Sequence, residues 1–338
     1  MEKEGSTLNQ VSRRTHAVRL WSWIALAYFV VVVLGGAIVR TAGAGAGCGD
    51  RWPLCNGEFI PHHPRLTSII EFTHRSTTFV AVLLFTVMIV WTFYATPKKH
   101  PARWAALWTA ALLFTESLLG AVLVLRHLVE RNTSIQRVFV QSIHFTNTML
   151  LLAAATLTAV FLKQRGKEVE PDPTLRSISL ITLGATLLTG AAGSLAALAD
   201  TIFPASSLHN ALFADFSSAS PTLVHMRWLH PACAVLLIAA CGVLIQRNVK
   251  LGRRTEVLGL SCLLAMQVAV GIADVLLLAP TWIQVVHLLA ADIFWISLVA
   301  ITAPDIFTKS STRNLWHGSE HVVVGISPRP IAREPRLL

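Results

Sequence analysis

The sequence predicts an all-α polytopic membrane protein in which eight transmembrane helices form two pseudo-symmetric four-helix bundles. Three observations predict it. Of 338 residues only 14% are charged and 54% are hydrophobic, with a mean hydropathy of +0.59. That leaves too little polar surface to cover a water-soluble globule of this length. Eight apolar segments reach the roughly 20 residues that a helix needs to cross a bilayer: Leu20–Val39, Ile69–Tyr94, Trp104–Leu125, Val138–Leu162, Ser177–Leu198, Leu223–Ile245, Val257–Leu278 and Trp282–Ala303. The last four segments also repeat the chemistry of the first four.

The net charge of +10 would fit a nucleic-acid binder if it were clustered, but it is sorted by side of the membrane. With the N-terminus inside, the segments on the cytoplasmic side carry 20 of the 28 Lys and Arg, and the external segments hold six: Arg40, Arg51, Arg65, Arg126, Arg131 and Arg137. This is the positive-inside pattern; it accounts for the basic balance without a polyanion and excludes nucleic acid as the expected partner. Both termini are expected in the cytoplasm. A short N-tail with Glu2 and Glu4 argues against a mitochondrial transit peptide and for a bacterial plasma membrane. The expected organisation is an N-tail (1–19), an N-terminal bundle (20–162), a polar linker (163–176) containing Pro171 and Pro173, a C-terminal bundle (177–303) and a C-tail (304–338).

The first segment carries Gly35-Gly36 and ends at Arg40. A glycine-rich external loop follows, with Cys48 and Cys55 on the oxidising side. A Cys48–Cys55 disulfide is expected there; the alternative is two free thiols in a flexible loop. Cys233, Cys241 and Cys262 fall within apolar segments, where cysteine is usually a small core residue.

The second segment opens with Glu71, His74 and Arg75, three and four apart and therefore on one face of a helix. Ionisable groups at that depth mark a functional site. The third segment has Glu116 and Gly120, and the fourth has His144 within Ser142-Ile143-His144-Phe145-Thr146-Asn147. In the second half Thr189-Gly190 of the fifth segment echoes Gly35-Gly36, Arg227-x-x-His230-Pro231 of the sixth echoes Glu71-x-x-His74-Arg75, Gln267 and Gly271 of the seventh echo Glu116 and Gly120, and His287 of the eighth echoes His144. Each half starts on the same side, so the repeat is parallel, about an axis along the membrane normal.

A single intramembrane histidine is often just an interhelical hydrogen-bond partner. Four at matched depth, one on each even-numbered segment, point to cofactor ligation inside a helical bundle. His74 with His144, and His230 with His287, would each offer two axial nitrogens to a haem. Zinc prefers four ligands, commonly with Cys or a carboxylate among them, and fits less well. The halves differ where Glu71 stands opposite Arg227. A carboxylate on one side alone suits an oxidation that needs a proton acceptor or a stabiliser of developing positive charge; its structural alternative is an ion pair with Arg75. Arg40, Arg75 and Arg227 are candidate partners for haem propionates; the alternative for each is to snorkel to the interface.

The combination of Gly35-Gly36 to Arg40, the loop Cys48 through Trp52-Pro53-Leu54-Cys55-Asn56-Gly57, Glu71-x-x-His74-Arg75, His144-Phe145-Thr146-Asn147, Asp200-Thr201-Ile202-Phe203-Pro204 and Arg227-x-x-His230-Pro231 resembles the haem A synthase family across all eight segments. The resemblance implies oxidation of the C8 methyl of haem O to a formyl group, giving haem A for terminal oxidases. It places haem O as substrate between His74 and His144 with Glu71 catalytic, and haem b as cofactor between His230 and His287. Expected partners are haem O, an electron acceptor or donor and membrane lipid; haem O synthase is a metabolic expectation, and a homo-oligomer stays open. The chain departs from the family pattern in having no second cysteine pair between Asp200 and Thr222, Glu116 in place of glutamine, and Pro231 after His230. The alternatives from other classes are a dihaem electron-transfer protein of the cytochrome b kind and a parallel-repeat transporter with histidine proton relays.

Overall fold

The computed structural model of the protein describes residues 2–163 and 172–307. The middle of the expected linker, 164–171, and the C-tail beyond 307 lie outside these residues. Ten helices follow one another, with no strand among the described residues: α1 Glu2–Thr41, α2 Leu66–Ala95, α3 Pro101–Leu125, α4 Ile135–Phe161, α5 Pro173–Ile202, α6 Leu208–Phe216, α7 Thr222–His225, α8 Leu229–Lys250, α9 Arg254–Leu276 and α10 Thr281–Phe307. Eight spans in this set are long and apolar enough to cross a membrane, with α7 and α8 counting together as Thr222–Lys250.

Local chemistry sets the ends. Ser134 accepts a hydrogen bond from Arg137 N at the start of α4, and Asp172 accepts from Thr174 N and Leu175 N ahead of Pro173 in α5. These side chains satisfy amides that have no partner within the helix. Asp172 also receives Arg247 at 2.7 Å, and that guanidinium with the helix amides holds its carboxyl below the usual aspartate range. At the same end of the molecule Arg253 grips Asp305 through both oxygens, at 3.0 and 2.8 Å, tying α9 to α10.

The sixth apolar segment is broken, where the sequence pattern reads as one continuous helix. Pro231 has no N–H to give to the Arg227 carbonyl four residues back. The chain answers with a tighter turn in which Leu229 N donates to Met226 O and His230 N to Arg227 O, both at 3.2 Å. Arg227 is thereby placed at the junction of α7 and α8, not on a regular helix face. The short α6, capped by Ser207, fills the loop before it and has no counterpart in the first half.

Helices α1 to α4 pack as one ring and α5, α8, α9 and α10 as another; α1, α4, α5 and α10 form the seam between them. A bilayer gives helices little hydrophobic reason to associate, so small residues and interhelical hydrogen bonds carry the contact. On α5 the buried stripe Ser179, Thr182, Thr186, Thr189 follows alternating steps of three and four. Its threonine hydroxyls bond to carbonyls four residues back and leave a low ridge. Trp295 of α10 donates its indole N–H to Met149 O of α4 at 2.7 Å, and Phe85, Leu151, Leu152, Leu244 and Leu298 are fully buried in the continuous core.

Arg40 stitches the seam at the histidine end. From α1 it donates to Ala197 O, to Thr201 Oγ1 at 2.5 Å and to Gln284 Oε1 at 2.9 Å, reaching α5 and α10 together. Arg40→Ala is expected to lower the stability of the detergent-solubilised protein by about 1.5–3 kcal/mol, the range for hydrogen bonds to a charged donor. Replacing the exposed Arg126 should stay within roughly 0.5 kcal/mol; thermal unfolding of the two variants side by side checks this.

Candidate functional site

In the first half the site is built at the start of α2. Glu71 is 3% exposed, and three donors fix its carboxylate: Cys48 N at 2.7 Å on Oε2, and Arg75 Nη2 at 2.5 Å and Nε at 3.1 Å on Oε1. The ion pair with Arg75 is therefore present, and the other oxygen, Oε2, meets the loop at the Cys48 amide. Arg75 continues to Leu54 O at 2.7 Å and approaches Gly49 O, so one guanidinium joins the helix to the loop above it.

That loop is a lid in the static sense of a cover. Cys48 and Cys55 form the disulfide, with Cα atoms 4.3 Å apart and both residues buried. Asn56 N donates to Cys48 O at 2.8 Å, and Cys55 and Glu58 exchange backbone hydrogen bonds. Ser68 of α2 donates its hydroxyl to Gly47 O at 2.5 Å. Gly47 has to be glycine, since a Cβ there would run into the Thr67 carbonyl. At the exposed rim the His62 backbone amide donates to Glu58 and holds that carboxyl below its usual range.

All four histidines meet the neighbouring helix at a glycine. A Cβ on Gly35 or Gly36 of α1 would lie 3.3 Å from the His74 ring, one on Gly120 of α3 3.9 Å from His144, one on Gly193 of α5 2.9 Å from His230, and one on Gly271 of α9 2.9 Å from His287. The last two distances are shorter than a side chain tolerates. The partner in α5 is Gly193, which corrects the expected match of Gly190 to Gly36. Gly190 instead admits Phe145 and Met149 of α4 at the seam.

His230 donates Nδ1–H to Thr189 O at 3.0 Å, which fixes the tautomer and leaves Nε2 with a free lone pair. The rings of His230 and His287 stand 6.2 Å apart between centroids at an interplanar angle of 83°. In the first half the corresponding residues are His74 on α2 and His144 on α4. The Nδ1 atoms of His74, His144 and His287 are buried without a hydrogen-bond partner, and the side chain beside one of them is Glu116, whose Oε1 lies 3.4 Å from His144 Nδ1. No three His, Cys, Asp or Glu residues converge as a metal cluster among the described residues. His74 with His144, and His230 with His287, are the residues that would hold a haem, whose iron would supply redox chemistry there.

The candidate propionate partners are engaged by protein groups. Arg227 donates to Asp215 Oδ1 at 2.8 Å, Asp200 Oδ1 at 3.0 Å and Ala211 O at 3.3 Å, and His225 Nδ1 lies 2.8 Å from Asp215 O. Asp215 and Gln284 were not singled out from the sequence; Asp200, a carboxylate at the end of an apolar run, carried the clearer signal. The asymmetry between halves is present in space. A buried carboxylate backed by an arginine stands one turn from His74, and an arginine backed by two carboxylates stands at the head of α8.

Gly271→Ala should push the His287 ring aside and weaken retention of a haem in the second half about tenfold to a hundredfold, for an overpacking energy of ~1–3 kcal/mol. Gly242→Ala, where the added methyl meets open space, should change nothing. Haem content and the visible spectrum of the purified variants measure both.

A family model described as a cytochrome oxidase assembly protein, COX15-CtaA, matches residues 19–299. A Thermus thermophilus protein named protoheme IX farnesyltransferase is 40% identical over 277 residues, which cover 80% of this chain and 45% of that protein. Proteins named heme A synthase from Bacillus mycoides and Bacillus cereus are 37% and 36% identical over 111 residues, 31% of this chain and 35% of each relative. The chain spans less than half the length of these relatives.

Proposed function

We infer the function from one premise: the chain belongs to the COX15-CtaA family of cytochrome oxidase assembly proteins. It acts in haem A biosynthesis as a membrane oxidoreductase, converting the C8 methyl of haem O to a formyl group, a four-electron oxidation whose oxygen atom comes from water or dioxygen and whose electrons go to an acceptor outside this chain. The observation that carries this function is the placement of Glu71, a carboxylate held by the Cys48 amide and Arg75, beside one histidine pair and not the other. The names of the Bacillus relatives support it. The name of the Thermus protein refers to prenyl transfer, and more than half of that protein lies outside the match. On this account the transferase chemistry belongs to the unmatched part, and the matched part acts on the farnesylated haem.

His74 and His144 would hold haem O, and His230 and His287 would hold haem b, with Arg40, Arg75 and Arg227 as the cations at the propionate end. When bound, the haem iron supplies the redox chemistry. The chain supplies position and charge. Glu71, three residues before His74 on one helix face, accepts a proton released from the methyl or stabilises positive charge that develops there. The Cys48 amide and Arg75 keep its two oxygens from rotating, and the disulfide-closed loop shields them from water. By the distribution of Lys and Arg this end faces outward and both termini face the cytoplasm of a bacterium.

A dihaem electron-transfer protein is the second reading, favoured by the equivalence of the two histidine pairs; it has no use for Glu71. Pigment extraction from protein expressed with and without a haem O supply separates the two. Haem A is expected only with haem O and only with Glu71, and Glu71→Ala should abolish it while keeping haem b. Haem A formation by Glu71→Ala, or haem b as the sole pigment of the parent protein under haem O supply, contradicts the oxidoreductase.

A further inference from the structure

A second, largely covered carboxylate stands beside His144 in the first half. Glu116 of α3 accepts from Asn147 Nδ2 at 2.6 Å on Oε2 and from Thr148 Oγ1 at 2.5 Å on Oε1. The same Oε1 lies 3.4 Å from His144 Nδ1, the buried ring nitrogen that has no hydrogen-bond partner. Asn147 is itself held, donating to Leu112 O at 2.9 Å and accepting from Thr115 Oγ1 at 2.7 Å. Thr148 Oγ1 also lies 3.0 Å from His144 O.

The second half has the position without the network. Gln267 stands for Glu116, with its Nε2 3.4 Å from His287 Nε2 and its Oε1 unpartnered. The residues three and four beyond His287 are Ala290 and Ala291, where His144 is followed by Asn147 and Thr148. A carboxylate at intramembrane depth is expensive, and two side-chain donors are installed here to offset it. A contact needed only for packing would be met by the amide, as it is in α9.

We propose that Glu116 is a positioning residue that acts through His144: it takes the Nδ1–H of that imidazole, leaves Nε2 to the iron, and makes the ring a more electron-rich ligand than His287. This rests on the assignment of a haem to His74 and His144. A carboxylate behind a ligating histidine fixes its tautomer and raises its basicity, and a stronger donor favours the oxidised iron. The half that carries Glu71 would hold the haem of lower reduction potential.

The test is a spectroelectrochemical titration of the purified protein loaded with haem O, in a Glu71→Ala background so that the substrate stays unreacted. His144→Ala and His230→Ala assign each transition to its half. Glu116→Gln should raise the potential of the first-half haem and leave the second unmoved. Thr148→Val, which frees Oε1 for the imidazole, should lower the same potential. Opposite shifts are not expected from a merely structural contact. Unmoved potentials in both variants, with both haems retained, overturn the proposal. If Glu116→Gln loses the first haem, Thr148→Val decides alone: a lowered potential supports the proposal and an unmoved one overturns it. If His144→Ala removes no haem signal from the parent, the haem assignment fails and this proposal with it, an outcome distinct from unmoved potentials.

Discussion

An imidazole is carried inside an apolar bundle where the neighbouring helix arrives without a side chain. That contact, histidine ring against glycine backbone, occurs four times, at Gly35-Gly36, Gly120, Gly193 and Gly271, and the rest of the structure depends on it. It lets α5 approach α8 and α9 approach α10 more closely than any side chain would allow, and brings α1 against α2 and α3 against α4. Two rings of four helices follow from it, each with paired imidazoles near one end.

On this common frame the halves place their carboxylates differently: the second half also buries Asp292 on α10 and carries Asp274 on α9, away from the positions that match Glu71 and Glu116. The first half gathers Glu71 and Glu116, each with its own donors, near His74 and His144. The second replaces them with Arg227 and Gln267. Lipid offers no hydrogen bonds, so each of these groups needs partners supplied by the chain, and the partners show where charge is wanted. Asp200 and Asp215 neutralise Arg227, whereas the anionic side chains of the first half lie beside the histidines themselves. A substrate half and an electron-carrying half are the division of labour that this distribution supports.

Much of this was legible in the sequence. Apolar runs in a bilayer must become helices because no other open structure satisfies the backbone, so all eight spans could be marked. Histidine is rare enough in such runs for four matched copies to stand out, and Cys48 and Cys55 were close in an oxidising loop. Less legible were contacts set by helix rotation and tertiary reach. Gly190 and Gly193 lie within one turn of each other, and hydropathy does not say which faces His230. The turn at Met226–Trp228 follows from Pro231 but hides inside a continuous apolar run. Arg40 reads equally well as an interfacial anchor, a propionate partner or a seam between halves, and in the structure it bridges α5 and α10.

The pairing of the histidines is the central claim, and haem spectra of the four single His→Ala variants, by absorbance and by electron paramagnetic resonance, test it most directly. His74→Ala and His144→Ala should perturb one and the same haem signal, and His230→Ala and His287→Ala the other, with neither pair touching its counterpart. A different grouping, or a variant in either pair that leaves both signals intact, would contradict the account.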